Sequence, residues 1–139
     1  MSSVTVTTNV TLENNALDVK DHGAPISVPQ ETDATNLVWQ LTRTAAQGSF
    51  NAIILDPTNP NYPNSGFGWI DFPPSGIFGS PTLAANGNQI TMSDNNSGSN
   101  SAGGPWRYKL CATIGGTQYS TTSSVSPRAT TNDPGIKNN

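Results

Sequence analysis

Few side chains in this 139-residue chain could do chemistry near neutral pH: one histidine, one cysteine and nine carboxylates. His22 sits in the turn-like run Asp21-His22-Gly23, and no Gly-x-Ser-x-Gly elbow is present to pair with it. A serine hydrolase needs a base beside its nucleophile. Mononuclear copper and catalytic zinc take two or more histidines, or histidine with several cysteines. His22, Cys111 and Met92 supply none of these sets, so no catalytic residue, resident metal or cofactor is expected. Glycoside hydrolysis requires two carboxylates across a cleft. Asp71, between Ile70 and Phe72, is the only acid on an aromatic strand, and the sequence nominates no partner for it. The expectation is a protein that is not an enzyme.

Two groups of residues suggest binding instead. Asp94-Asn95-Asn96-Ser97-Gly98-Ser99-Asn100 is rich in oxygens, which makes Asp94 and Asn96 weak calcium candidates. The run lacks the second carboxylate and terminal glutamate of an EF-hand loop. With no large apolar residue over Asp94–Gly104, the expectation is a mobile, solvated loop. The second group is Tyr62 and Trp69 with Asn61, Asn64 and Asp71. Aromatic faces stack on the C–H face of a pyranose, while amides and carboxylates bond its hydroxyls in pairs. A proline-stiffened loop tucking its aromatics under a sheet is the plainer reading of the same residues. Trp39 and Trp106 alternate with aliphatic residues and read as core.

The elements that would position these residues are short strands. In Pro105–Ser120, Trp106, Tyr108, Leu110, Ala112 and Ile114 share one parity and Arg107, Lys109 and Thr113 the other, the period of a half-buried strand. Gly115-Gly116 then provides a hairpin turn into Thr117–Val125. Further strands are expected over Ser3–Leu12, Ala16–Val19, Asn36–Thr42, Phe50–Leu55, Phe67–Phe72 and Asn88–Ser93. Ile26–Val28, followed by Pro29, reads as an edge or approach segment. Asp56–Gly66 is a long loop with three prolines. Thr42–Gly48 offers at most one helical turn, and Ser126–Asn139 reads as a polar tail.

Charged residues make up 11% of the chain, with a net charge of −3. Six scattered lysines and arginines form no basic face, which argues against nucleic acid as a partner. No apolar run approaches the length of a membrane span. The start, MSSVTVTTNV, has neither a positive end nor a continuous apolar segment, so a cytoplasmic location is expected, with export without a leader or by a removed leader left open. One cysteine excludes an internal disulfide framework. Asn9-Val10-Thr11 and Asn95-Asn96-Ser97 match glycosylation sequons, which mean little without a secretory route.

The number and spacing of strands, Trp39 in an early strand, and Tyr108 with Cys111 in a late one resemble the immunoglobulin-like plan. The ending Asp133-Pro134-Gly135-Ile136-Lys137-Asn138 resembles that of small bacterial β-sandwich proteins of the DP-EP type, a resemblance that implies a fold and no activity. The reading is therefore one all-β domain over residues 1–139, an immunoglobulin-like antiparallel β-sandwich of seven to eight strands with a polar tail from about residue 126. Its expected role is that of a non-catalytic structural or protein-interaction module, self-associating or binding another protein. The alternative is a carbohydrate-binding module.

Overall fold

The computed structural model describes residues 4–13, 16–19, 26–54, 65–121 and 134–139. In chain order the strands are β1 (Thr5–Glu13), β2 (Ala16–Val19), β3 (Ile26–Val28), β4 (Thr35–Leu41), β5 (Ser49–Phe50) and β6 (Phe67–Trp69). They continue with β7 (Thr82–Leu83), β8 (Gln89–Asp94), β9 (Gly103–Ile114), β10 (Thr117–Ser120) and β11 (Gly135–Asn138). Short 3₁₀ turns lie at Arg43–Ala45 and Ser99–Ser101, the first inside the segment where one helical turn was expected. Among the described residues no helix is long and apolar enough to cross a membrane.

Alternation dictates the first sheet, whose order is β2-β1-β4-β8-β7. In β4 every second residue, Leu37, Trp39 and Leu41, is buried, and Ile90 and Met92 of β8 match them across the ladder. β1 runs parallel to β4, setting Val6 against Leu37 and Val10 against Leu41. The second sheet is built on β9, the longest strand, and follows the path β10-β9-β11-β3. Alternate N–H groups of a strand point to opposite edges. The Tyr108 N–H therefore reaches Pro134 on one edge, while the Cys111 N–H reaches Gly66 on the other. β11 and β10 thus succeed each other along one edge of β9, and β6 and β5 along the other. Gly115 and Gly116 have φ of +59° and +81°, the left-handed values that a two-residue hairpin turn needs.

The result is all-β, with two mixed sheets that do not close, consistent with a β-sandwich. Several expectations need correction. The sheets are not purely antiparallel, because β1–β4 and β3–β11 are parallel. Eleven strands occur among the described residues rather than seven or eight, the additions being the short β3 and β7 and the four-residue β11. The strand expected over Phe50–Leu55 stops at Phe50. Beyond it the chain closes on its own loop, with Gly66 N–H donating to the Ala52 carbonyl and Ile54 N–H to Ser65 Oγ. The strand expected to reach Phe72 ends at Trp69 because the Ile70 and Asp71 N–H groups converge on one acceptor, the Arg107 carbonyl, as in a β-bulge.

The largest correction concerns the polar tail. Its last residues form β11, which lies between β9 and β3 with Ile136 and Asn138 fully buried. One apolar residue among Asn, Lys and Gly gives no visible alternation, so the sequence pattern reads as solvated. Ile136 packs in the core with Val28, Trp39 and Tyr108 as fellow members. Ile136→Ala should cost about 2–5 kcal/mol, the range for emptying a packed aliphatic site. Urea unfolding checks this, since the same change in a solvated tail would shift stability by less than about 0.5 kcal/mol.

Candidate functional site

Of the residues expected to bind a sugar, Asn61, Tyr62 and Asn64 lie outside the described residues. Trp69 is half-buried, edge-on to Phe67 at 5.1 Å and tilted against Phe78 at 5.0 Å. Phe78 meets the edge of Trp106 at 5.7 Å, and Phe67 stacks on the buried Tyr108 at 5.4 Å. Trp69 is therefore the middle of an aromatic series running from the core to the rim of the second sheet. Edge-to-face geometry suits the ring quadrupoles, so each contact stabilises beyond its area.

Asp71 stands next to this rim and is fully engaged. Arg107 donates through Nε to Oδ2 at 2.7 Å, through Nη2 to Oδ1 at 3.2 Å, and through its backbone N–H to Oδ2 at 3.2 Å. These bonds, led by the guanidinium fork, hold the carboxyl below the usual carboxylate range. The pair pins the bulge after β6 to β9. With the two side chains 47% and 39% exposed, water screens it and its stabilising effect is small. Phe72, the next residue, is 52% exposed.

The loop after β8 is exposed at Asn95, Ser97, Ser99 and Asn100, as a solvated run would be. Asp94, Asn96 and Ser101, in contrast, are buried and anchored by polar contacts. Asn96 Nδ2 donates to the carbonyls of Val28 and Asn139, both at 3.1 Å, and its Oδ1 accepts from the Ser101 hydroxyl at 2.9 Å. The Asn96 carbonyl accepts from Glu31 N–H, and Asn95 N–H donates to Ile77. Asn138 Nδ2 joins Asp94 Oδ1 and the Ser101 carbonyl, both at 2.9 Å. The oxygens considered for calcium are thus turned inward: Asn96 Oδ1 and Asp94 Oδ1 already accept protein donors. Among the described residues no three His, Cys, Asp or Glu side chains gather as a metal-binding group.

Cys111 is a buried free thiol. Desolvation pushes its ionisation up, with Lys109 opposing, which keeps the sulfur protonated and unreactive at neutral pH. His22 lies outside the described residues. No protein-family model matches the chain, and a search of curated proteins finds no match. Any functional reading therefore stands on the molecule itself.

Sequence reasoning missed Arg107, Ser101 and Asn138. The partners they meet are 36, 5 and 44 residues away respectively, and no local pattern links them. The two polar centres differ in consequence. Asn96→Ala removes three hydrogen bonds, to the Val28 and Asn139 carbonyls and from the Ser101 hydroxyl, at a buried position and should lower stability by about 2–4 kcal/mol. Arg107→Ala should change it by less than about 1 kcal/mol. Paired urea titrations of the two variants test that ordering.

Proposed function

We propose that the protein is a non-catalytic β-sandwich module of immunoglobulin-like plan whose role is structural, through self-association at strand edges. The plan is supported by the chain's path. β3 lies parallel to the last strand β11, which is antiparallel to β9, and β9 carries β6 and β5 on its other edge. The opposing sheet holds β4, β8 and β7, with β7 and β8 as an antiparallel pair. The chain changes sheets between β2 and β3, β3 and β4, β4 and β5, β6 and β7, and β8 and β9, and such crossing connections are what a Greek-key sandwich uses. The resemblance to DP-EP-type proteins belongs to the same proposal, its quoted ending falling largely on β11.

The observation that carries self-association is the chemistry of the edges. Natural sheets blunt their edges with very short edge strands, lysine, proline, bulges or covering segments. Here the outer strands β2, β3, β5, β6, β7 and β10 are short but hold a single charged side chain, Asp18. β10 is the clearest case. Thr121 N–H donates to the Leu110 carbonyl, so Thr117 and Tyr119 also face β9, while Gln118 turns its main-chain groups to the outer edge. A second copy can add a strand there.

The carbohydrate-binding alternative has weaker support, because both oxygens of Asp71 are taken by Arg107 and Trp69 is held between two aromatic neighbours. Light scattering coupled to size-exclusion chromatography across a concentration series should give a defined oligomer. Gln118→Pro, which removes an outward donor without breaking a bond to β9, should shift it toward monomer. Trp69→Ala and free sugar should leave assembly unchanged. A monomer at every concentration overturns the proposal and brings a glycan screen forward.

A further inference from the structure

Two side chains at the heart of the polar clamp have an unsolved hydrogen-bond problem. Asp94 and Asn138 are both 0% exposed. Asp94 Oδ2 and Asn138 Oδ1 are buried acceptors with no donor among the described residues. The amide cannot be turned to cure this. Its Nδ2 already places hydrogens on Asp94 Oδ1 and the Ser101 carbonyl, both at 2.9 Å, which fixes Oδ1 as the opposite atom. The two orphaned oxygens flank the one bond that joins the pair. Each would cost free energy if left bare, and an ionised carboxylate would cost most.

We propose that Asp94 and Asn138 form a cyclic acid–amide pair, with a proton on Asp94 Oδ2 donated to Asn138 Oδ1, and that this proton is a latch holding β11 in the sheet. One proton satisfies both oxygens, closing a ring of two parallel hydrogen bonds between β8 of the first sheet and β11 of the second. Loss of the proton leaves two acceptors and a buried charge in its place, and β11 is the element released.

Among the described residues the surroundings contain little that would stabilise the ionised form. On β8 itself Gln89–Ser93 are uncharged, and Asp94 faces Thr35 of β4, a strand without ionisable groups. Phe78 bridges it from the loop before β7, and the turn at Ser99–Ser101 is uncharged. Lys137 is the only charged residue of β11 and alternates with Asn138, so it lies on the other face of the strand. Glu31 and Asp33, in the segment between β3 and β4, are exposed. Burial accordingly pushes the Asp94 carboxyl up to about 6, with the Asn138 bond opposing. A folded-state value above the unfolded one of about 4 means the stabilisation is complete in acid and is lost as pH rises through about 6.

Asp94→Asn supplies a permanent amide hydrogen where the carboxyl proton sits, and it is the decisive variant. In the wild type, exchange of the Ile136 and Asn138 amides, corrected for intrinsic chemistry, should quicken about tenfold between about pH 5 and pH 7.5. In Asp94→Asn that rise should vanish, and the variant should melt above the wild type at the higher pH. Retention of the wild-type pH dependence by Asp94→Asn overturns the latch. Should the variant fail to fold, carbon-13 detection of the Asp94 carboxyl in the wild type decides. A midpoint near 6 supports the pair, and one near 4 or below refutes it.

Discussion

At their aromatic centre the two sheets are joined by a buried hydrogen bond. Trp39 Nε1–H, from β4 of the first sheet, donates to Tyr108 Oη, from β9 of the second, at 2.8 Å. Both side chains are fully buried, so each polar tip would be a liability without the other. Each satisfies the other's polar tip, and the bond fixes the spacing and lateral register of the sheets at that point. Phe67 then packs against both rings, tilted to Trp39 at 5.5 Å and stacked on Tyr108. Burial pushes the Tyr108 hydroxyl far above its ordinary ionisation range, so this junction is insensitive to pH.

From that junction the structure grades outward into chemistry of a different kind. One branch is a run of aromatics, from Phe67 through Trp69 and Phe78 to Trp106. Beside Phe78, which bridges Asp94, amides and hydroxyls take over: Asn96, Ser101, Asp94 and Asn138 bind β3, β8 and β11 through polar contacts. A chain with so few charged residues has few salt bridges to use, and it relies on asparagine, whose amide both donates and accepts.

The parts legible in the sequence are those where burial leaves a period. Leu37, Trp39 and Leu41 share one parity opposite Val38 and Gln40 and form β4, and the Trp106–Ile114 parity with Gly115-Gly116 marks β9 and its hairpin turn. Ile26–Val28 is an edge strand, as the following proline suggests. What was hidden is buried polarity. Asn96 and Asn138 are indistinguishable by type from the exposed Asn95 and Asn139 beside them. Their burial is decided by carbonyls and amides that arrive from distant strands, so neither composition nor spacing can reveal it. Asp71 was legible as an unusual acid on an aromatic strand, but its partner Arg107 comes from β9, and only the fold brings them together.

The parallel pairing of β3 with β11 carries a kinetic consequence. Ile26 lies against Ile136 although the two are roughly 110 residues apart in the chain. Closing so long a loop costs entropy that no local contact returns in advance. By contrast, β9 with β10 and β7 with β8 need only short reaches. The molecule's order of assembly is therefore written into its connectivity: the hairpins form first, and the slot between β9 and β3 is filled late. High contact order of this kind places a domain among the slow folders. During that interval β9 shows an unpaired edge, which makes the last-docked strand the element that separates a finished sheet from an open one.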